Sequence, residues 1–427
     1  MQHVVLFAVL FWLATISPGP AADWPQLAGN PQHTGCSAEE LRPPFQLKWN
    51  VQFQPERLYP ALQPVIAGGK VFLGTESGNF HALSAADGSR LWKFPAAADE
   101  HVGPILHAAG VENGRVFFAS MDGYVYALEA ATGKLEWKFA SGLRTGFSTA
   151  VLLADGKVFA PNRGGTLFAL NQADGQVAWK KDQGCRLLQS PAYNDGRLYV
   201  AGMNMVLYAL EAKNGKEIWR TERMTGLAVK DYWPVVYKGL VIVRPMGPWE
   251  AVPFEEKTGR PVEVRIPGGI TMNGAVAPPC VDSDGKLATA LGGGWCRVDV
   301  DAAKQELGKA TANKPGKPDK GREPPLPSYV EEISDKKGPG GHGNNDENMI
   351  ATASKDVIFV IHCEEGNAQF TGCYEISKRK WTPIRSGPWQ NFTSNTQGGG
   401  ASQAAIANGA MYHVSLHGLR CFRGGEP

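Results

Sequence analysis

Apolar and polar positions alternate along most of the chain in short runs, with Gly, Asp or Asn set between them. Lys70-Val71-Phe72-Leu73-Gly74 is followed by Glu76-Ser77-Gly78-Asn79 and then by Phe80-His81-Ala82-Leu83. Two alternating runs around residues suited to positive φ read as an antiparallel hairpin. The turn recurs as Met121-Asp122-Gly123, Asn162-Arg163-Gly164 and Leu416-His417-Gly418. A second pattern follows the first: Ala82-Leu83 to Gly88 and Trp92, Ala127-Leu128 to Gly133 and Trp137, Ala169-Leu170 to Gly175 and Trp179, Ala209-Leu210 to Gly215 and Trp219. In all four the Trp falls four residues after the Gly, and Trp49, Trp92, Trp137, Trp179 and Trp219 are spaced by 43, 45, 42 and 40 residues.

A period of this size built from strands marks a propeller, whose blades are four-stranded antiparallel sheets. Pairs of inner strands are expected near 64–74, 105–120, 149–161, 191–202, 234–244, 276–291, 349–362 and 403–415, which predicts an all-β, eight-bladed ring. The fifth unit keeps Thr258-Gly259 but has Glu263 in the Trp position, and the sixth ends at Val298-Asp299-Val300-Asp301 without a Trp. Their outer strands are expected to pack less well. The eighth unit stops at Leu419-Arg420-Cys421-Phe422, so Phe45-Gln46-Leu47-Lys48-Trp49-Asn50 is expected to supply its outer strand and close the ring near 45–51. Residues 308–340, rich in Lys, Pro and Gly and without apolar periodicity, read as an exposed, flexible insertion in a single domain spanning 45–427.

Composition narrows the function classes. Of 427 residues, 43 are basic and 41 acidic, a net charge of +2 that asks for neither nucleic acid nor an anionic membrane surface. The block Val4–Ala14 followed by Pro18-Gly19-Pro20-Ala21 has the form of a secretory signal cut after Ala21, which leaves a leader over 22–44 and no membrane span. A periplasmic or secreted location follows from that reading. Seven cysteines without a Cys-x-x-Cys arrangement give no zinc-ribbon, thioredoxin-type or covalent-haem signal. They read as small buried hydrophobes with at most a few bridges.

The pattern Ala-Leu-x-Ala-x-Asp/Thr-Gly-x-x-x-Trp, preceded by Gly-x-Val-Phe/Tyr, resembles the pyrroloquinoline quinone (PQQ) repeat of eight-bladed quinoprotein propellers over roughly 45–422. In that family the Trp of one blade docks on the next, the role the resemblance implies for Trp49, Trp92, Trp137, Trp179, Trp219 and Trp381. The family holds both dehydrogenases that bind PQQ with calcium and non-enzymatic BamB-like propellers of outer-membrane protein assembly. This sequence carries no vicinal Cys pair, no haem motif and no lipid-acceptor Cys next to the expected cut. The expectation is therefore an exported, non-catalytic, monomeric scaffold that binds a protein or polymer and needs no cofactor. The alternative is a PQQ- and calcium-dependent alcohol or sugar dehydrogenase.

Residues just upstream of each innermost strand face a propeller's central funnel. They are Tyr59, Gln63, His101, Arg144, Arg186, Gln189, Lys230, Asp231, Tyr232, Trp233, Asn273, Asn348, Gln397 and Gln403. In a dehydrogenase Asp231 would be the base, with Arg144, Arg186 or Lys230 polarising the quinone oxygens. Asn344-Asn345-Asp346-Glu347-Asn348 has calcium-type side chains but not the alternating spacing of a calcium loop, and no metal site is assigned.

Overall fold

The computed structural model describes residues 22–59, 62–97, 99–229, 232–247, 250–267, 277–291, 294–310, 326–333, 351–360, 372–383, 403–415 and 418–425. The expected signal segment, residues 311–325 and 334–340 of the expected insertion, and Asn344–Asn348 lie outside them.

Eight sheets form, each built on four antiparallel strands, here lettered A to D from the channel outward. Blade 1 consists of Val65–Ala67, Lys70–Gly74, Phe80–Ser84 and Arg90–Phe94. Strand B pairs Val71 with Leu83 and Phe72 with Ala82, and all four are at most 1% exposed because blades cover both faces of the inner strands. Gln46–Gln52 pairs with Gly418–Arg423, so the ring closes as expected, with strand D of blade 8 coming from the N-terminal side.

The junctions follow from one local device. In strand D the ladder is interrupted beside Trp49, Trp92, Trp137, Trp179 and Trp219. The extra residue of such a bulge raises the local twist and re-aims the side chain. Each indole crosses to the next blade and donates its N–H to a carbonyl there: Ala85 at 3.1 Å, Ala130 at 3.2 Å, Gln172 at 2.9 Å, Ala212 at 2.9 Å and Glu256 at 3.2 Å. Beneath the rings lie Gly88, Gly133, Gly175, Gly215 and Gly259 in the C–D turns, all with φ between +71° and +75°. A Cβ at any of them would enter the indole's space, so Gly is required by both backbone and contact. Trp381 stands differently: it pairs in regular register with Tyr374 and lies against Gly372 of its own blade.

Blade 6 departs from the sequence reading. After strand C, Gly294–Val298, the chain forms a helix over Val300–Ala310 and reaches strand D only at Val330–Glu332. The insertion thus divides strands C and D of one blade, and its residues 308–310 and 326–333 are built into the fold. Asp299 begins the helix, its carboxylate accepting from Ala302 N, which is why the polar Asp299-Val300-Asp301 run turns helical rather than continuing as strand. All six described cysteines are free thiols, four of them buried; Cys363 lies outside the described residues. Burial pushes the Cys296, Cys373 and Cys421 thiols up to about 12.

The leader, for which the sequence suggested no strand partner, is the other departure. Backbone N–H groups of Ile66, Val111, Tyr193, Val236, Val281 and Ala353 donate to the carbonyls of Trp24, Pro25, Pro31, Gln32, Thr34 and Gly35 at 2.7 to 2.9 Å. Leu153 N donates to the Gln26 side chain at 3.1 Å, and Asn408 N and Gly409 N donate to Glu39. The leader thereby visits strand A, or the turn after it, in blades 1 to 8 in order. Cys36–Ser37 adds a parallel strand to blade 7. Innermost strands expose unpaired backbone groups to the channel, and this belt satisfies them.

Candidate functional site: the central channel

A strands run from the D–A loops to the A–B turns, so the ring has two mouths. The belt crosses A strands near their ends, bonds Gly68 N in an A–B turn through Asp23, and so occupies the A–B mouth. The mouth framed by D–A loops and B–C turns lies on the side opposite the belt.

Gln63 and Gln403 form the channel floor. Gln63 Oε1 accepts from Ala28 N at 2.6 Å, its Nε2 donates to Gln403 Oε1 at 2.9 Å, and Gln403 Nε2 donates to Ala351 O at 2.9 Å. Gly35 is needed there, since with φ +63° an added Cβ would run into Gln403 and approach the Cys280 Cβ at 3.1 Å. His33, fully buried, rests edge-on against Trp233 at 6.0 Å and bonds Pro234 O through Nδ1 at 3.1 Å. Burial lowers its pKa to about 4, so the ring is neutral and Nδ1 carries the proton.

Gln189, Tyr232 and Trp233, on the segments leading into strands A of blades 4 and 5, are also buried. Tyr232 meets Trp233 edge-on at 6.3 Å. Neither polar atom of the Gln189 amide has a hydrogen-bond partner, nor have Trp233 Nε1 and Ser148 Oγ. Tyr59 sits edge-on to His107 at 5.6 Å. The structure corrects three of the expected funnel residues: Arg144 and Arg186 are exposed on D–A loops, and His101 lines an outer cleft of about 710 Å³ with Phe94, Tyr126 and Lys138. The expectation failed because D–A loops are long enough to carry their first residues out over the face. Lys230, Asp231, Asn273, Asn348 and Gln397 lie outside the described residues.

Sequence reasoning missed His33 and Arg244. Arg244 directly follows strand B of blade 5, Leu240–Val243, where the register of blades 1, 2 and 4 places Gly74, Ala119 and Ala201. A cation in a position that holds uncharged residues in blades 1 to 4 and 8 was the available signal.

The family model described as outer membrane protein assembly factor BamB matches at residues 81–189 and 184–294, half of the chain. The protein belongs to this family of PQQ-like repeat propellers. The PQQ-like ring is similar to the crystal structure of BamB from Moraxella catarrhalis, at 15% identity and TM-score 0.56, over 90% of this chain and 98% of that one. It is also similar to quinohemoprotein alcohol dehydrogenase from Comamonas testosteroni, at 14% identity and TM-score 0.64, over 95% and 82%, and to the computationally designed Ika8 protein, at 10% and 0.62, over 88% and 99%. These likenesses concern the fold. No curated protein sequence matches the chain.

Calcium takes six to eight oxygen ligands, carboxylates among them. Among the described residues no three His, Cys, Asp or Glu side chains are placed to share a metal ion. Buried carboxylates of the PQQ-like ring are committed elsewhere: Asp282 to Arg297 at 2.6 Å, and Glu256 to Asn194 at 2.7 Å and Tyr199 at 3.1 Å. These carboxylates are therefore engaged, while Asp231, Asn273 and Asn348, the other oxygen-bearing candidates, lie outside the described residues.

Proposed function

We propose that the protein is an exported, non-catalytic propeller that docks a protein partner on its D–A loop face. The observation that carries this is a set of four arginines on that face, Arg144, Arg163, Arg186 and Arg223, none in an ion pair among the described residues. They alternate with Leu143, 41% exposed, and Leu227, 77% exposed. Unpaired cations around exposed apolar side chains suit an acidic partner carrying an apolar anchor. Rigid Trp junctions hold these loops in fixed relation, and the belt takes up the opposite mouth. The apolar N-terminal block and the family of assembly factors support export.

The test compares the mature chain with an Arg144→Glu, Arg186→Glu, Leu227→Asp variant, both immobilised and exposed to envelope extract. A stoichiometric protein held by the first and released by the second is expected. Retention of the same proteins by both overturns the proposal, as does turnover of an alcohol or sugar with an electron-accepting dye when PQQ and calcium are added.

A further inference from the structure

Arg244 is 2% exposed, yet none of Nε, Nη1 and Nη2 has a hydrogen-bond partner. A guanidinium carries five N–H donors, and leaving a buried charge unsatisfied is among the most costly arrangements a fold can hold. Burial draws its pKa down to about 10, so the side chain still carries its charge at neutral pH. The carboxylate that influences it, Glu250, is bonded to Arg265 instead.

Its position explains the isolation. Gly74 is the same register position in blade 1, and a Cβ there would strike Ile105 in the segment leading into blade 2. Arg244 thus replaces a packing position with a long cation. Tyr232, within electrostatic reach of the guanidinium, leads into strand A of blade 5 and packs on Trp233. Blades 3, 4 and 5 each contribute buried polar atoms without partners just before strand A or after strand B: Ser148, Gln189, Trp233 and Arg244.

We propose that the D–A mouth of the channel holds an anion-binding site in which Arg244 receives a carboxylate, with Tyr232, Trp233 and Gln189 about it. A paired guanidinium fork matches a carboxylate in shape and charge. Glu250 is already paired with Arg265, so a single negative charge balances Arg244, whereas a phosphate dianion would bring one charge more. The site does not depend on the loop-face arginines, and its failure would leave the docking proposal standing.

The experiment follows thermal unfolding and calorimetric titration of the full mature chain with benzoate, inorganic phosphate and a blocked peptide bearing one Glu side chain, each against sodium chloride of equal ionic strength. Benzoate or the peptide should raise Tm saturably, phosphate less, and the stronger of the first two tells whether the carboxylate comes from a small molecule or a protein. Arg244→Met should abolish the rise and leave the ligand-free Tm equal or higher, because it removes an uncompensated charge. Should that variant fail to fold, Arg244→Lys keeps the charge without the fork and should weaken carboxylate binding roughly tenfold. Absence of any carboxylate response in the parent chain overturns the proposal, and so does an equal response in the Arg244 variant.

Discussion

The two halves of the ring solve the same packing problem with different chemistry. From the closing blade to blade 5, each junction is an indole laid on a glycine turn, with one N–H donated to a carbonyl. Blade 6 replaces that turn with the Val300–Ala310 helix, which buries Val300 and Ala303 in a core shared with blade 5 and adds polar contacts. Lys238 of blade 5 meets Asp301 of the helix at 2.6 Å, Tyr237 donates to Gly285 O at 2.9 Å, and Arg265 N donates to Tyr329 Oη at 3.0 Å. Within the blade, Arg297 joins Asp282 at 2.6 Å, Glu331 at 3.1 Å and also Asp284. Glu331 of strand D reaches Arg379 in the C–D turn of blade 7 at 3.1 Å, an ion pair at the place where the first half would set an indole. An aromatic dock asks for one Trp and one Gly at fixed spacing. A polar dock asks for partners that no local spacing announces.

The contrast is open to four tests. Trp179→Ala removes an indole that is 9% exposed and should cost about 3 to 5 kcal/mol in denaturant unfolding, with little dependence on salt. A loss under about 1 kcal/mol would mean that the aromatic docks are not what binds the first half. Arg297→Ala leaves the Asp282 side chain, 0% exposed, without its cation and should cost about 3 kcal/mol, also at high salt because the pair is buried. Comparable unfolding midpoints for the variant and its parent would show the polar core of blade 6 to be dispensable.

The pH dependence of stability probes the belt. His33 has a folded pKa of about 4 against an ordinary 6.5, so the native state favours the neutral ring. Its contribution is complete above pH 6.5 and is lost as pH falls toward 4, by about 3 kcal/mol. His33→Gln should reduce the slope between pH 6.5 and 4 without removing it, because buried His413, depressed to about 3, contributes over the same range and further down. An unchanged profile between pH 6.5 and 4 would remove His33 as the cause. The smallest effect is expected for Arg379→Gln: with Arg379 67% exposed, its pair with Glu331 should contribute under about 1 kcal/mol and fade in salt.

How much could be read in advance follows the same divide. Eight pairs of inner strands, the closing strand and the spacing of Trp92, Trp137, Trp179 and Trp219 were legible because each depends on local alternation and a turn glycine. Trp381 shows the limit: the resemblance implied a dock for it, but without the bulge it lies against Gly372 of its own blade. The helix of blade 6 was not foreseen: Val298-Asp299-Val300-Asp301 read as the end of the sixth unit, and only its last residues, 308–310, fell in the expected insertion. Gln63, Gln189, Tyr232, Trp233 and Gln403, picked by their place before strand A, are buried, whereas Arg144 and Arg186, picked by the same rule, are exposed and His101 lines an outer cleft. Arg244 was missed because it follows strand B, and the belt was missed because its partners are spread over the whole ring.

That spread has a consequence in time. The bonds between the leader and the A strands close loops of increasing length, up to the 370 residues separating Glu39 from Gly409. Contacts so distant in sequence lose much chain entropy before they return anything, and they slow folding. The segment synthesised first among the described residues is therefore the one that locks last, after blade 8 exists to receive it. Until then eight strand edges face an open channel, and the belt is what turns a closed ring into a finished one.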